Sequence, residues 1–152
     1  MNYYLMLLIF ILVSIINSYL DFKTFHISVV LNYIGLILCV LVLVTGKSLQ
    51  LMNHIMGAVS LSLLFLLVRY ISHKGLGWGD VHYSLLCGFV AGVPGFIICM
   101  FISSVAGILF FVSLRYVFKR KNAFKLRIPF IPMMFIGNLI GIPVTNSILG
   151  LL

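Results

Sequence analysis

A chain of 152 residues that is 63% hydrophobic and only 8% charged, with a mean hydropathy of +1.27, has too little polar surface to cover a water-exposed core. A soluble globular domain is excluded. The net charge of +8 belongs to loops that set orientation in a membrane, because no aromatic–basic platform or major-groove helix accompanies it to bind nucleic acid. Apolar runs of spanning length recur along the chain and predict an all-α, polytopic membrane protein with lipid as its surroundings, folded as a single domain over 1–152.

The first apolar run covers about 3–20. It has no basic segment before it and no small-residue cleavage site, and Lys23 follows it, so it reads as a retained span with its N-terminus outside the cytoplasm. Ser14, Asn17 (or Ser18) and Asp21 follow one another at helical spacing, giving this span a polar stripe that ends on a carboxylate. Further spans are expected at about 28–44, 51–71, 80–93, 96–118 and 129–151. The fourth and fifth are divided by the turn signal Gly92-Val93-Pro94-Gly95. In the fourth, Asp80, Ser84, Gly88 and Gly92 recur every four residues, and the small ones permit close helix approach. Nine of the ten basic residues fall in the first, third and fifth loops, and only Lys47 falls on the other side. Fusing the fourth and fifth spans would scatter these charges over both faces. The distribution therefore predicts about six transmembrane helices, odd-numbered loops in the cytoplasm and both termini non-cytoplasmic.

The chain contains no glutamate, and Asp21 and Asp80 are its only acidic side chains. H-E-x-x-H metal chemistry is therefore excluded, and His26, His54, His73 and His82 show no metal-ligand spacing. There is no G-x-S-x-G nucleophile elbow. Gly46-Lys47-Ser48 resembles the end of a phosphate-binding loop, but Leu41 stands where its first glycine belongs. Cys39, Cys87 and Cys99 lie inside apolar runs and read as inert buried thiols. The expected topology places Asp21 and Asp80 at similar depth near the cytoplasmic face. Two carboxyls that converge there would share one proton, and such a pair can hydrolyse a peptide with neither metal nor cofactor. Spacing alone leaves other roles open: helix caps, topology anchors paired with Lys23 and Lys74, or the proton sites of a small transporter.

The residues around the aspartates add a resemblance. Gly77-Trp78-Gly79-Asp80, followed by Gly88 and Gly92, resembles the G-x-G-D signature of intramembrane aspartyl proteases, in the form found in type IV prepilin peptidases. Asp21-Phe22-Lys23-Thr24-Phe25-His26-Ile27 is similar to that family's D-x-R-T-x-x-I-P-N segment, with Lys23 for the arginine and Ser28-Val29 for the Pro-Asn. His82 stands where the family has a lysine. Ile128-Pro129-Phe130-Ile131-Pro132 resembles its I-P-F-G-P block, with Ile131 for the glycine. The resemblance implies an endopeptidase that removes a short basic leader from prepilin-like precursors (pilins, pseudopilins or archaellin-type proteins) at the cytoplasmic membrane face. It implies Asp21 and Asp80 as catalytic residues, supported by Gly77, Gly79, Ile128, Pro129, Phe130 and Pro132. The chain lacks the cysteine-bearing cytoplasmic region of the bifunctional members, so it resembles the short peptidase-only form, with no methyl transfer expected. A non-catalytic precursor-binding relative is the other reading these departures leave open. Trp78 and His82 read as interfacial side chains, and Lys119-Arg120-Lys121 as a topology signal.

Overall fold

A computed structural model describes residues 2–46, 50–72, 76–113 and 129–149, and all regular structure among them is helical. The helices are α1 (Asn2–Thr24), α2 (Val29–Thr45), α3 (Leu51–Ile71), α4 (Trp78–Val112) and α5 (Ile131–Leu149). Three stretches are long and apolar enough to cross a membrane: Tyr3–Thr24, Leu51–Ile71 and Trp78–Phe110. The apolar helices Val29–Thr45 and Ile131–Pro143 are shorter.

The burial pattern is that of a bundle solvated by lipid. Leu8, Leu12, Ile15, Ile37, Leu63 and Leu67 all lie exposed on the outside of their helices. Ser14, Asn17, Asp21, Asn32, His54, Ser84, Ser103 and Asn138 are buried with the core. In water such an apolar shell would drive aggregation, whereas in hydrocarbon it is the polar groups that must find partners inside. Several do so across helix pairs. The Tyr83 hydroxyl donates to Ser14 Oγ at 2.7 Å, joining α4 to α1. The His54 imidazole donates through Nδ1 to the Phe89 carbonyl at 2.6 Å, joining α3 to α4. The three cysteines are buried and free, as their apolar settings predict.

The helices expected on either side of 92–95 form one element, α4, broken internally at Gly92. Gly92 has φ 68° and ψ −178°, a conformation open in practice only to glycine. Pro94 follows immediately, in the first turn of the second arm, where its missing N–H costs least. Phe130 lies against both Phe65 of α3 and Gly107 of the second arm, while Gly57 of α3 meets Gly88 and Gly92 of the first. The second arm therefore runs back beside the first.

Helices α3 and α5 pack along these arms and make the most extensive contacts in the bundle. A Cβ added to Gly57 of α3 would stand 2.8 Å from the Gly92 Cα, and one added to Gly88 would strike the Gly57 carbonyl. This is the close approach that the small residues of the fourth predicted span permit. Along the second arm, a Cβ on Gly141 would meet the Gly95 carbonyl at 2.8 Å, while Phe130 lies over Gly107. Residue numbers rise along α5 as they fall along the arm, so the pair is antiparallel. That course returns the start of α5 to the end of the bundle where α4 begins.

Candidate active site

Asp21 lies in the last turn of α1 with only 7% of its surface exposed. Its Oδ2 accepts the Ile131 N–H at 3.1 Å, and the Phe130 N–H also bonds to the carboxyl. These N–H groups belong to the start of α5, where a helix has no internal acceptors and carries partial positive charge. Asp21 thus caps a helix 110 residues further along the chain.

The segment after Asp21 is pinned from below. Thr24 Oγ1 donates to the Leu20 carbonyl at 2.8 Å, and the chain then reverses through Phe25 at φ 53°. Ser28 caps α2 by accepting the Leu31 N–H at 3.3 Å. Its own N–H donates to Asn17 Oδ1 at 3.1 Å, and Asn17 Nδ2 donates to Asn32 Oδ1 at 2.8 Å. A proline at this position, as in the resembled motif, has no N–H to give. Ser28→Pro is therefore expected to destabilise the bundle by about 1–3 kcal/mol, through a stranded Asn17 carbonyl and a lost cap. Thermal unfolding in detergent, compared with Ser28→Gly, which retains the N–H, checks this.

Asp80 occupies the third position of α4, and its Oδ2 accepts the Gly77 N–H at 3.1 Å. This is the acidic half of a capping box, with the carboxylate reaching back to the helix entry. Gly79 lies against Ile27, close enough that a Cβ would meet the Ile27 Cγ1 at 2.9 Å. The loop after α1 therefore packs directly on the Gly77–Asp80 turn. The Asp21 carboxyl acts electrostatically on Asp80, as does the Arg69 guanidinium. The loop that follows Asp21 thus packs on the turn that carries Asp80, 59 positions further along the sequence.

Of the predicted supporting residues, Gly77 and Gly79 form the turn that presents Asp80. Pro129 is buried, and Phe130 packs on Phe65 of α3 with ring centroids 6.0 Å apart. Pro132 sits in the first turn of α5, where proline is tolerated. Ile128 lies outside the described residues. Ile131, a departure from the resembled motif, is fully buried and supplies the N–H that Asp21 accepts. Sequence reasoning missed this main-chain donor, because any residue but proline can provide it. It also missed Arg69, counted there only among orienting charges. Among the described residues, no three His, Cys or acidic side chains cluster as metal ligands.

What this arrangement can do is bounded by its groups. It offers two carboxyls, each oriented by a main-chain N–H, with the start of α5 bonded to the first of them. Such a pair can take a proton from one oxygen and give one to another in a single site. No curated protein and no solved structure matches the chain. Residues 8–112 match the Type IV leader peptidase family, a stretch that includes both aspartates and the Gly77–Asp80 turn. That match takes in more than half of the sequence, and the chain belongs to the type IV leader peptidase family.

Proposed function

We propose that this protein is an intramembrane aspartic endopeptidase that removes the short basic leader of type IV prepilin-like precursors, with Asp21 and Asp80 as its catalytic pair. What supports the reading is membership of a leader peptidase family over a stretch that holds both acidic side chains, with Ile27 of the loop after Asp21 packed on Gly79 beside Asp80. One carboxylate, ionised, takes a proton from a water molecule as the water attacks the scissile carbonyl. The other, protonated, gives its proton to the forming oxyanion. As the C–N bond breaks, the first carboxyl passes the proton it took from water to the leaving nitrogen, and the second takes its own back from the diol hydroxyl. Both carboxyls sit near the ends of their helices, Asp21 in the last turn of α1 and Asp80 in the first turn of α4, within reach of an extended substrate at that end of the bundle.

The placement of basic residues supports six crossings of the cytoplasmic membrane, with α4 contributing two of them by turning back at Gly92. Both termini then lie outside the cytoplasm, and the site opens at the cytoplasmic face, where a precursor's leader resides. Co-expression with a prepilin-like precursor tests the function. Loss of the leader, seen as a mobility shift and a new N-terminus by mass spectrometry, is the expected result. Precursors that all remain intact beside a well-expressed wild type would refute it.

The released N-terminus is expected to stay unmethylated. The sequence has no C-x-x-C pair of the kind that the resembled bifunctional members carry in their cytoplasmic region. Incubation of the purified protein, a cleaved substrate and labelled S-adenosylmethionine checks this, and specific methyl transfer would contradict it.

A further inference from the structure

Four side chains beyond the two carboxyls form a connected stack at the start of α4. Arg69, in the last turn of α3, donates through Nη1 to the Leu76 carbonyl, just before the glycine turn. Its guanidinium also lies over the Trp78 ring, with Cζ 4.5 Å from the centroid. Trp78 stacks on His82, one helical turn on, with centroids 6.1 Å apart and planes at 29°. His82 meets the edge of Tyr33 from α2, and its Nδ1 shares a 3.0 Å hydrogen bond with the Tyr33 hydroxyl. The stack therefore ties α3 to α4 and α4 to α2. Both α2 and α3 pack on α4 and little on each other.

Asp80 lies between Trp78 and His82 in sequence, in the first turn of α4. Gly77 and Gly79 have no side chains to restrain it, and glycine leaves its backbone angles freer than any other residue. Restraint comes from the Gly77 N–H bonded to Asp80 Oδ2, from Ile27 against Gly79 and from Arg69 on either side of Gly77. A planar guanidinium can bond a carbonyl and cover an aromatic face at once. A lysine ammonium is a point charge on a flexible stem and cannot do both in this way.

We propose that Arg69 is the positioning residue of the second motif: by bonding the Leu76 carbonyl and covering Trp78 it fixes the glycine turn, and so the place of the Asp80 carboxyl opposite Asp21. Its catalytic consequence rests on the peptidase reading, but the clamp itself has an independent readout. Trp78 is the only tryptophan, so its emission reports the stack directly.

The test uses the full-length protein in detergent or liposomes with a prepilin-like substrate. Arg69→Gln and Arg69→Lys should each lower kcat by about 10- to 100-fold through misplacement of Asp80, with KM within about twofold of wild type. Both should shift Trp78 emission and raise its access to aqueous quenchers above that of the wild type, where the residue is already 57% exposed. Trp78→Phe, which keeps a ring beneath the guanidinium, should stay within about threefold of the wild-type kcat, while Trp78→Ala should fall as the Arg69 variants do. Wild-type kcat in Arg69→Lys or in Trp78→Ala would overturn the proposal, as would a loss confined to KM. Unchanged Trp78 emission in Arg69→Gln would overturn the clamp whether or not any precursor is cleaved. If wild type cleaves nothing but the emission shifts as expected, the clamp stands and only the peptidase reading fails.

Discussion

Asp21→Asn and Asp80→Asn should each lower leader removal by about 10³-fold or more while leaving the protein folded. The expectation of a folded protein comes from what the carboxyls bond. Asp21 Oδ2 accepts the Ile131 N–H, and Asp80 Oδ2 accepts the Gly77 N–H. An asparagine retains one carbonyl oxygen that can accept the same bond, but it can neither ionise nor carry the shared proton. Alanine removes the acceptor as well, so Asp21→Ala should also loosen the start of α5 and cost about 1–3 kcal/mol of stability. Comparing Asn with Ala variants by thermal unfolding and by precursor cleavage separates the two roles. Asparagine variants that cleave normally would leave the aspartates with their capping role alone.

Gly92→Ala is the second large effect, and it should act on folding rather than on chemistry. At φ 68° and ψ −178° a Cβ is strained before any neighbour is considered, at about 1–3 kcal/mol. Gly57 of α3 also lies directly against the Gly92 backbone, so relief by backbone movement would disturb the tightest helix contact in the bundle. The expected outcome is a protein recovered poorly from membranes, with its unfolding temperature lowered. Gly46→Ala is the matched control: Gly46 is exposed at the end of α2 with φ −75° and ψ 0°, which alanine adopts freely. Equal behaviour of the two variants would mean that α4 does not depend on a glycine-only turn.

These two expectations mark what the sequence made legible. Elimination singled out the aspartates, since a chain with two acidic residues leaves no others to pair, and the motif around Asp80 suggested a chemistry for them. The glycines and proline of 92–95 announced a break, and the structure places a glycine-only conformation there. The polar stripe of Ser14, Asn17 and Asp21 was equally visible, because burial follows helical periodicity.

Other features were hidden for physical reasons. The four-residue spacing from Asp80 to Gly92 suggested one continuous face, yet each step overshoots the helical repeat by about 40°. Over three steps the face rotates by about a third of a turn. Gly88 and Gly92 accordingly pack on α3, whereas Asp80 turns back to accept the Gly77 N–H at the helix entry. The main-chain donors that orient Asp21 depend on α5 folding back from a distant part of the chain, and no side-chain pattern encodes them. Ser28 read as a departure from a motif, although its N–H and hydroxyl complete a local hydrogen-bond network through Asn17. Arg69 looked like one more orienting charge until its ring and carbonyl contacts were in place.

The most direct test of the central claim compares the purified wild type with Asp21→Asn, Asp80→Asn and the double variant on one prepilin-like substrate in liposomes, with cleavage followed by mass spectrometry. Residues that act as a unit are not additive, so the double variant should be no slower than either single one. All three should sit near the uncatalysed background, while the wild type releases the leader at a single bond. Cleavage at near wild-type rate by either single variant would contradict a carboxyl pair formed by Asp21 and Asp80.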